Sequence, residues 1–290
     1  MMNKQAKKKR SVSIPLRTFF SRGAIVYASL IIALALILAA LFAPMLTPYD
    51  PYDADFQKSF ARPDSEHLLG CDYYGRDLLT RLLYGARVSL VCSVLACLAG
   101  GFVGMMLGLF AGYFEGGIGM IIMRYADVQM SIPPMIFTIC ISLISGGGIG
   151  GVIVALGFGL IPSFARMMYG LVLQLKENDY VVAARLVGTS NLKIVFKHLL
   201  PNTFPSMIVL FTANLGATIM LESTLSFLGI GIKIPMASWG NMVSEGYTYI
   251  FKYPLVAVMP GLCIMLVVIA FNILGDAMRD SLDPRLRGKL

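Results

Sequence analysis

Chemistry in this sequence is confined to a few polar and charged residues set into long apolar stretches. Glu222 is the only charge between Lys197 and Lys233, and a carboxylate deep in such a run costs about 2.5–3.5 kcal/mol on insertion scales unless it is partnered or wet. It reads either as a pathway residue or as a neutral, hydrogen-bonded group that packs helices, with Asn272 or Ser226 as partner. Arg124 and Asp127 stand three apart, the spacing of an intrahelical ion pair. Catalytic constellations are missing: the sequence has no H-E-x-x-H, no G-x-S-x-G and no Walker A phosphate loop. Gly146, Gly148 and Gly151 satisfy G-x-G-x-x-G in form, but that motif works between a strand and a helix of a βαβ unit, and here it joins two apolar runs. His67 and His198 fall on opposite predicted faces and cannot share a metal. Cys92, Cys97, Cys140 and Cys263 lie in apolar runs and Cys71 lacks a partner on its face, so no disulfide is expected. The expectation is a chain that is not an enzyme and holds no metal or cofactor.

The elements that position these residues follow from composition. Of 290 residues 57% are hydrophobic and 14% charged, against about 25% charged in soluble domains, so the solvent is a bilayer. A crossing helix needs about 20 mostly apolar residues, and cutting the chain at its charges and glycine turns predicts six spans near 24–46, 88–112, 118–143, 150–170, 205–229 and 254–275. Pro133-Pro134 is placed to kink the third. With an even number of spans both termini share a side, and that side carries 17 of the 24 Lys and Arg. The excess marks it as cytoplasmic. The first outer loop, 47–87, has seven acids against five bases. Lys7-Lys8-Lys9-Arg10 reads as an orienting flank that touches anionic lipid rather than nucleic acid, and the apolar stretch after it is too long for a cleaved signal.

Two features stand out between the charges. Gly100, Gly104, Gly108 and Gly112 repeat every four residues, lining one face of the second span with a seam that lets a neighbour approach closely. On the cytoplasmic side, Tyr180 to Asn202 reads as two short helices and a turn. Ala183 and Ala184 favour helix, Gly188 suits a C-terminal cap with positive φ, Thr189 or Ser190 can cap the next helix, and Pro201 is expected to stop it. On the second helix Leu192, Val195, Phe196 and Leu199 share one predicted face, with Lys193 and Lys197 on another.

That loop resembles the E-A-A-x3-G-x9-I-x-L-P signature of permease subunits of binding-protein-dependent ABC importers, through Ala183, Ala184, Gly188, Leu200 and Pro201, departing from it at Val182 and His198. Other stretches resemble the dipeptide, oligopeptide and nickel branch of that family: Gly70 to Asp77, Tyr84 to Leu90, Leu225 to Gly229 with Glu222 just ahead, Ser238-Trp239-Gly240, and Pro260-Gly261 through Asn272 to Pro284. The resemblance implies an all-α polytopic membrane protein with six transmembrane helices and a type I ABC importer permease fold. Its parts would be a basic cytoplasmic N-terminus (1–23), a permease domain (24–277) with outer loop 47–87 and cytoplasmic coupling loop 171–203, and a cytoplasmic tail (278–290). Partners implied are a homologous second permease, two cytoplasmic ATPases that use the ATP, an extracytoplasmic binding protein and membrane lipid, with no nucleic acid. Ala183, Ala184, Gly188, Lys193, Lys197, Leu200 and Pro201 would form the ATPase-coupling loop, with Glu222 and Asn272 as pathway or packing residues. Peptides are the leading cargo, with nickel or another small solute as the alternative. An ATPase-independent carrier and a membrane-embedded enzyme are the rival readings, and the scarcity of intramembrane ionisable groups and of reactive constellations counts against each.

Overall fold

The computed structural model describes residues 23–282. The Lys7–Arg10 flank and the tail arginines Arg285 and Arg287 lie outside the described residues. Among the described residues five helices are long and apolar enough to cross a bilayer, and a bent pair makes a sixth if it counts as one span.

Helix α1 (Ala24–Leu41) turns Val26, Ala33 and Ala40 inward and leaves its bulky apolar residues outward, as a lipid-facing helix must. A short α2 (Ala43–Leu46) leads into the loop expected at 47–87. Helix α3 (Leu78–Phe114) begins ten residues earlier than the predicted span. Asp77 caps it by accepting from the Thr80 backbone N–H at 2.7 Å. The loop therefore ends at residue 77, and Arg81 and Arg87, expected within it, belong to the helix. At 37 residues α3 is about 55 Å long, well beyond the roughly 30 Å hydrocarbon core.

The third predicted span is two helices. Helices α4 (Gly116–Met130) and α5 (Pro134–Ile144) meet at 98°. A residue before proline is pushed out of the helical region, and Pro133 accordingly sits extended, at ψ 128°, while Pro134 restarts the helix. The expected kink is a full break. Gly146, Gly147 and Gly148 all take positive φ in the turn to α6 (Gly148–Leu175), a run that only glycine accepts readily.

The glycine seam of α3 finds its neighbour inside the chain. A Cβ at Gly100 would stand 2.2 Å from the Gly157 carbonyl oxygen and one at Gly108 2.2 Å from that of Ala165, both on α6. In lipid no hydrophobic force drives helices together, so this close backbone approach is what packs them.

After α6, α7 (Asp179–Leu186) and α8 (Asn191–Ile194) form the two short helices, with Gly188 at φ +81° between them and Ser190 at the N-cap of α8. Pro201 does not stop the second helix. A π-turn at Val195–Leu199 widens the backbone where the proline ring would clash, and the chain runs on into α9 (Leu200–Phe227). The two-helix loop thus runs into α9 without a break. Beyond the C-terminal end of α9, α10 (Trp239–Tyr247) tucks the fully buried Trp239 against α3, its indole N–H donating to the Leu82 carbonyl at 3.1 Å. Helix α11 (Leu255–Leu282) continues into the stretch expected to be tail from 278.

Candidate functional site

The α7–α8 hairpin is built like an exposed tip on a packed stem. Val181, Ile194, Val195 and Leu199 are fully buried, packed with Leu109, Met168 and Val172 of α3 and α6. Tyr113 at the end of α3 donates to the Asn191 side-chain oxygen at 2.8 Å, and the Arg185 guanidinium lies over the Tyr113 ring. The buried face differs from the predicted one: Ile194 takes the inward position, while Leu192 and Phe196 turn outward beside Lys193 and Lys197. The reason is the π-turn, which shifts the angular register of the residues around it. Ala183 is exposed, Ala184 and Leu200 pack against the stem, and Pro201 is exposed in the first turn of α9. Leu186 and Val187, the last residue of α7 and its C-cap just before Gly188, are 83% and 86% exposed. A tip that carries bare leucine and valine, in a loop whose Lys193 and Lys197 are also exposed, is suited to docking against a protein surface.

Glu222 and Asn272 do not meet the same environment. Glu222 is fully buried, accepts a hydrogen bond from the Ser226 hydroxyl at 2.9 Å and faces Ser89 of α3. Ser226 also receives the Ile232 backbone N–H at 3.1 Å, and Ser89 that of Trp239 at 3.3 Å. The carboxyl therefore stands at the centre of the contacts that hold the 228–240 segment onto α3 and α9. Asn272, the other expected partner, is on α11 beside Gly216, where an added Cβ would come within 2.8 Å of its side-chain oxygen.

The end of the bundle where α3 begins holds a cluster that sequence reasoning missed. Arg76 donates to Asp72 through Nε at 2.7 Å and pairs with Glu245 at 2.9 Å, and Arg81 pairs with Glu245 at 3.1 Å and donates to the Pro51 carbonyl at 3.0 Å. His67 Nδ1 lies 2.9 Å from Asp77, whose other oxygen accepts from Thr80, while Lys58 Nζ reaches His67 Nε2 at 3.2 Å. Because an ammonium only donates, His67 Nε2 accepts and the Nδ1–H points at Asp77. The Asp72-to-Asp77 stretch was visible as a motif, but Glu245 lies 169 residues from Arg76 and no local spacing announces it. The Arg124–Asp127 pair also grows: Asp127 takes Arg166 of α6 as well as Arg124, tying α4 to α6.

A further polar group sits midway along the bundle. Pro162 inside α6 has no N–H to give the Phe158 carbonyl four residues earlier. The Gln129 side chain of α4 supplies the missing donor, Nε2 to Phe158 oxygen at 2.7 Å. Gln129 is 6% exposed, and its Oε1 has no hydrogen-bond partner among the described residues. It lines a cavity of about 330 Å³ between α4, α5, α6 and α9.

Comparison with known proteins agrees across sequence and fold. Residues 104–288 match the family described as the binding-protein-dependent transport system inner membrane component, and residues 18–63 match the N-terminal transmembrane domain of oligopeptide transport permease C. The chain is 40% identical over 282 residues to the glutathione transport system permease protein GsiD of Pectobacterium atrosepticum, covering 96% of this chain and 94% of that one. It is 37% identical over 258 residues to the dipeptide transport system permease protein DppC of Alkalihalophilus pseudofirmus, covering 89% and 85%. Its fold is similar to a chain of the inward-facing MetNI methionine ABC transporter, with a TM-score of 0.58 at 20% identity over 70% of this chain and 97% of that one.

Proposed function

The chain belongs to the family of binding-protein-dependent transport system inner membrane components, and from that premise we propose how it works and what it carries. It is a multi-pass permease subunit of an ABC importer in the peptide and nickel branch. The cargo is a small peptide, a dipeptide or a tripeptide such as glutathione, in keeping with the names of its relatives. The subunit works beside a second, homologous permease and receives cargo from an extracytoplasmic binding protein. Two cytoplasmic ATPases dock on the α7–α8 hairpin and supply the ATP hydrolysis, and both termini face the cytoplasm. The observation that carries this reading is the hairpin itself: exposed Leu186 and Val187 at the tip, Lys193 and Lys197 beside them, and a buried stem continuous with α9. Force applied at such a tip passes into a membrane helix without a flexible joint, which is how closure of the ATPases would switch the pathway between its two states. Ala183, Ala184 and Gly188 shape the contact, and Glu222 is a packing residue that keeps the outer end of α9 attached to α3.

The test is ATP-dependent uptake into proteoliposomes by the complete complex, with labelled alanyl-alanine, glutathione and Ni²⁺ offered separately. Uptake of either peptide, abolished when ATP is withheld, is the expected result. Uptake of Ni²⁺ alone, or uptake without ATPases, overturns the reading.

A further inference from the structure

We propose that α4 is a hinged gate: it swings away from α6 as a unit and uncovers the cavity at its C-terminal end, and the Asp127–Arg166 ion pair latches it shut. The inference goes beyond the cargo reading, and its test uses neither cargo nor ATP. Its first support is how little holds α4 in place. Of its 15 residues only Gly119, Ala126 and Gln129 are buried, and none belongs to the apolar clusters formed among the described residues. Two side chains from its second half reach α6: Asp127 pairs with Arg166, and Gln129 donates to the Phe158 carbonyl at 2.7 Å. The ion pair is 40% exposed at Asp127 and 49% at Arg166, so water and salt weaken it. The Gln129 bond carries a cost of its own, because it leaves Oε1 sealed from solvent and unpaired among the described residues. Movement of α4 relieves that cost.

The second support is a joint at each end. At the start, Glu115 holds φ +47° and ψ −158°, a backbone state that residues with a side chain rarely adopt. Gly116 follows at φ +63°, and neither Gly116 nor Gly117 has any atom within 4 Å of an added Cβ, so rotation there meets no wall. Gly119, one turn on, sits where an added Cβ would be 2.7 Å from the Ala111 carbonyl oxygen of α3, and that contact serves as the pivot. At the far end, the exposed residues Ser131 to Pro133 form the 98° break before α5. Hinges of this kind confine a large φ/ψ change to a few residues between rigid elements.

The third is room to move. A cavity of about 610 Å³ lies between the end of α3, α4 and Tyr169 of α6, whereas close-packed interiors keep few voids larger than a water molecule. Gln129, Met130 and Ile132 form one wall of the 330 Å³ cavity, so a turn of α4 opens it. Helices α3 and α6, by contrast, meet backbone to backbone at Gly100 and Gly108 and form the fixed frame.

The test measures distances by pulsed electron paramagnetic resonance in the complete complex, in lipid nanodiscs without nucleotide and with the native cysteines replaced. One pair of spin labels sits at Val128→Cys on α4 and Met167→Cys on α6, a control pair at Leu98→Cys on α3 and Val154→Cys on α6, all at exposed positions. Two distances are expected for the first pair and one for the control. Asp127→Asn is expected to raise the ratio of the longer to the shorter distance about two- to five-fold, the worth of a half-exposed ion pair, and Asp127→Glu to keep the wild-type ratio. Salt at about 1 M, which cuts the screening length to about 3 Å, should produce the same rise in the wild type and none in Asp127→Asn. A single α4–α6 distance that neither the variant nor salt alters overturns the proposal and makes α4 a fixed strut. So does a control distance that lengthens with it, since the whole bundle would then be loosening.

Discussion

At the scale of single residues, two guanidinium groups share two carboxylates at the start of α3. Arg76 and Arg81 are 4% and 1% exposed, and each pairs with both Glu245 and Asp72. Removing one partner of a buried ion pair costs about 3–5 kcal/mol when the remaining charge is stranded, and here Asp72 stays with both arginines, so the loss falls below that range. Glu245→Ala is expected to lower the thermal unfolding midpoint in detergent with assembly intact, whereas an unchanged midpoint would mean that Asp72 alone suffices for the arginines. Cys71 gives a second check. Burial pushes its thiol up to about 11, with Asp77 and Asp72 acting in the same direction. The folded protein then keeps the thiol protonated through the range near 9 where an exposed cysteine ionises, so its contribution to stability is level below about pH 9 and declines as pH rises toward 11. Cys71 should resist maleimide at pH 8 in the folded protein and react after denaturation; rapid labelling of the folded form would contradict this. Asp72, Arg76 and Asp77 were legible in the sequence as a block, but their partner was not, since Glu245 is brought to them by tertiary folding alone.

At the scale of helices, two kinds of glycine do different work. Gly108 gives up its side chain so that α3 can touch α6, and Gly108→Leu, with the Ala165 carbonyl 2.2 Å from where its Cβ would be, should abolish accumulation of assembled protein. Gly117 has nothing within 4 Å of that position, and Gly117→Ala should accumulate normally on a sizing column. Gly188 also has open space around it, so its requirement is conformational, φ +81°. A β-branched residue held there costs about 1–3 kcal/mol. Gly188→Val should insert and assemble yet lose about ten-fold or more in ATP-driven uptake, a factor that corresponds to roughly 1.4 kcal/mol; full uptake would remove Gly188 from the coupling turn. The four-residue glycine repeat announced a seam from sequence because helical periodicity is local. The break between α4 and α5 was announced only as a kink, since two prolines say where a helix is interrupted and not by what angle.

At the scale of the whole molecule, the protein is a bundle with a different device at each end. At one end, the 228–254 segment and the 47–77 loop are fastened to α3 by Trp239, Glu245 and the arginines. At the other, the hairpin projects from a stem shared by α3, α6 and α9. The proposed orientation makes these ends distinguishable: in a background with the native cysteines replaced, Phe251→Cys should label with an impermeant maleimide from outside intact cells, and Leu186→Cys only after permeabilisation. The reverse pattern would invert the topology. Sequence by itself determined the bilayer, the position of most spans, the glycine seam and the two-helix loop, because hydrophobicity, charge count and helical period are properties of neighbouring residues. Only the tertiary structure decided that Glu222 is held by Ser226 rather than Asn272, that Pro201 is absorbed by a π-turn, and that Gln129 answers Pro162. Each of those outcomes depends on which distant backbone or side-chain group is brought within about 3 Å, a distance that packing sets and linear spacing does not encode.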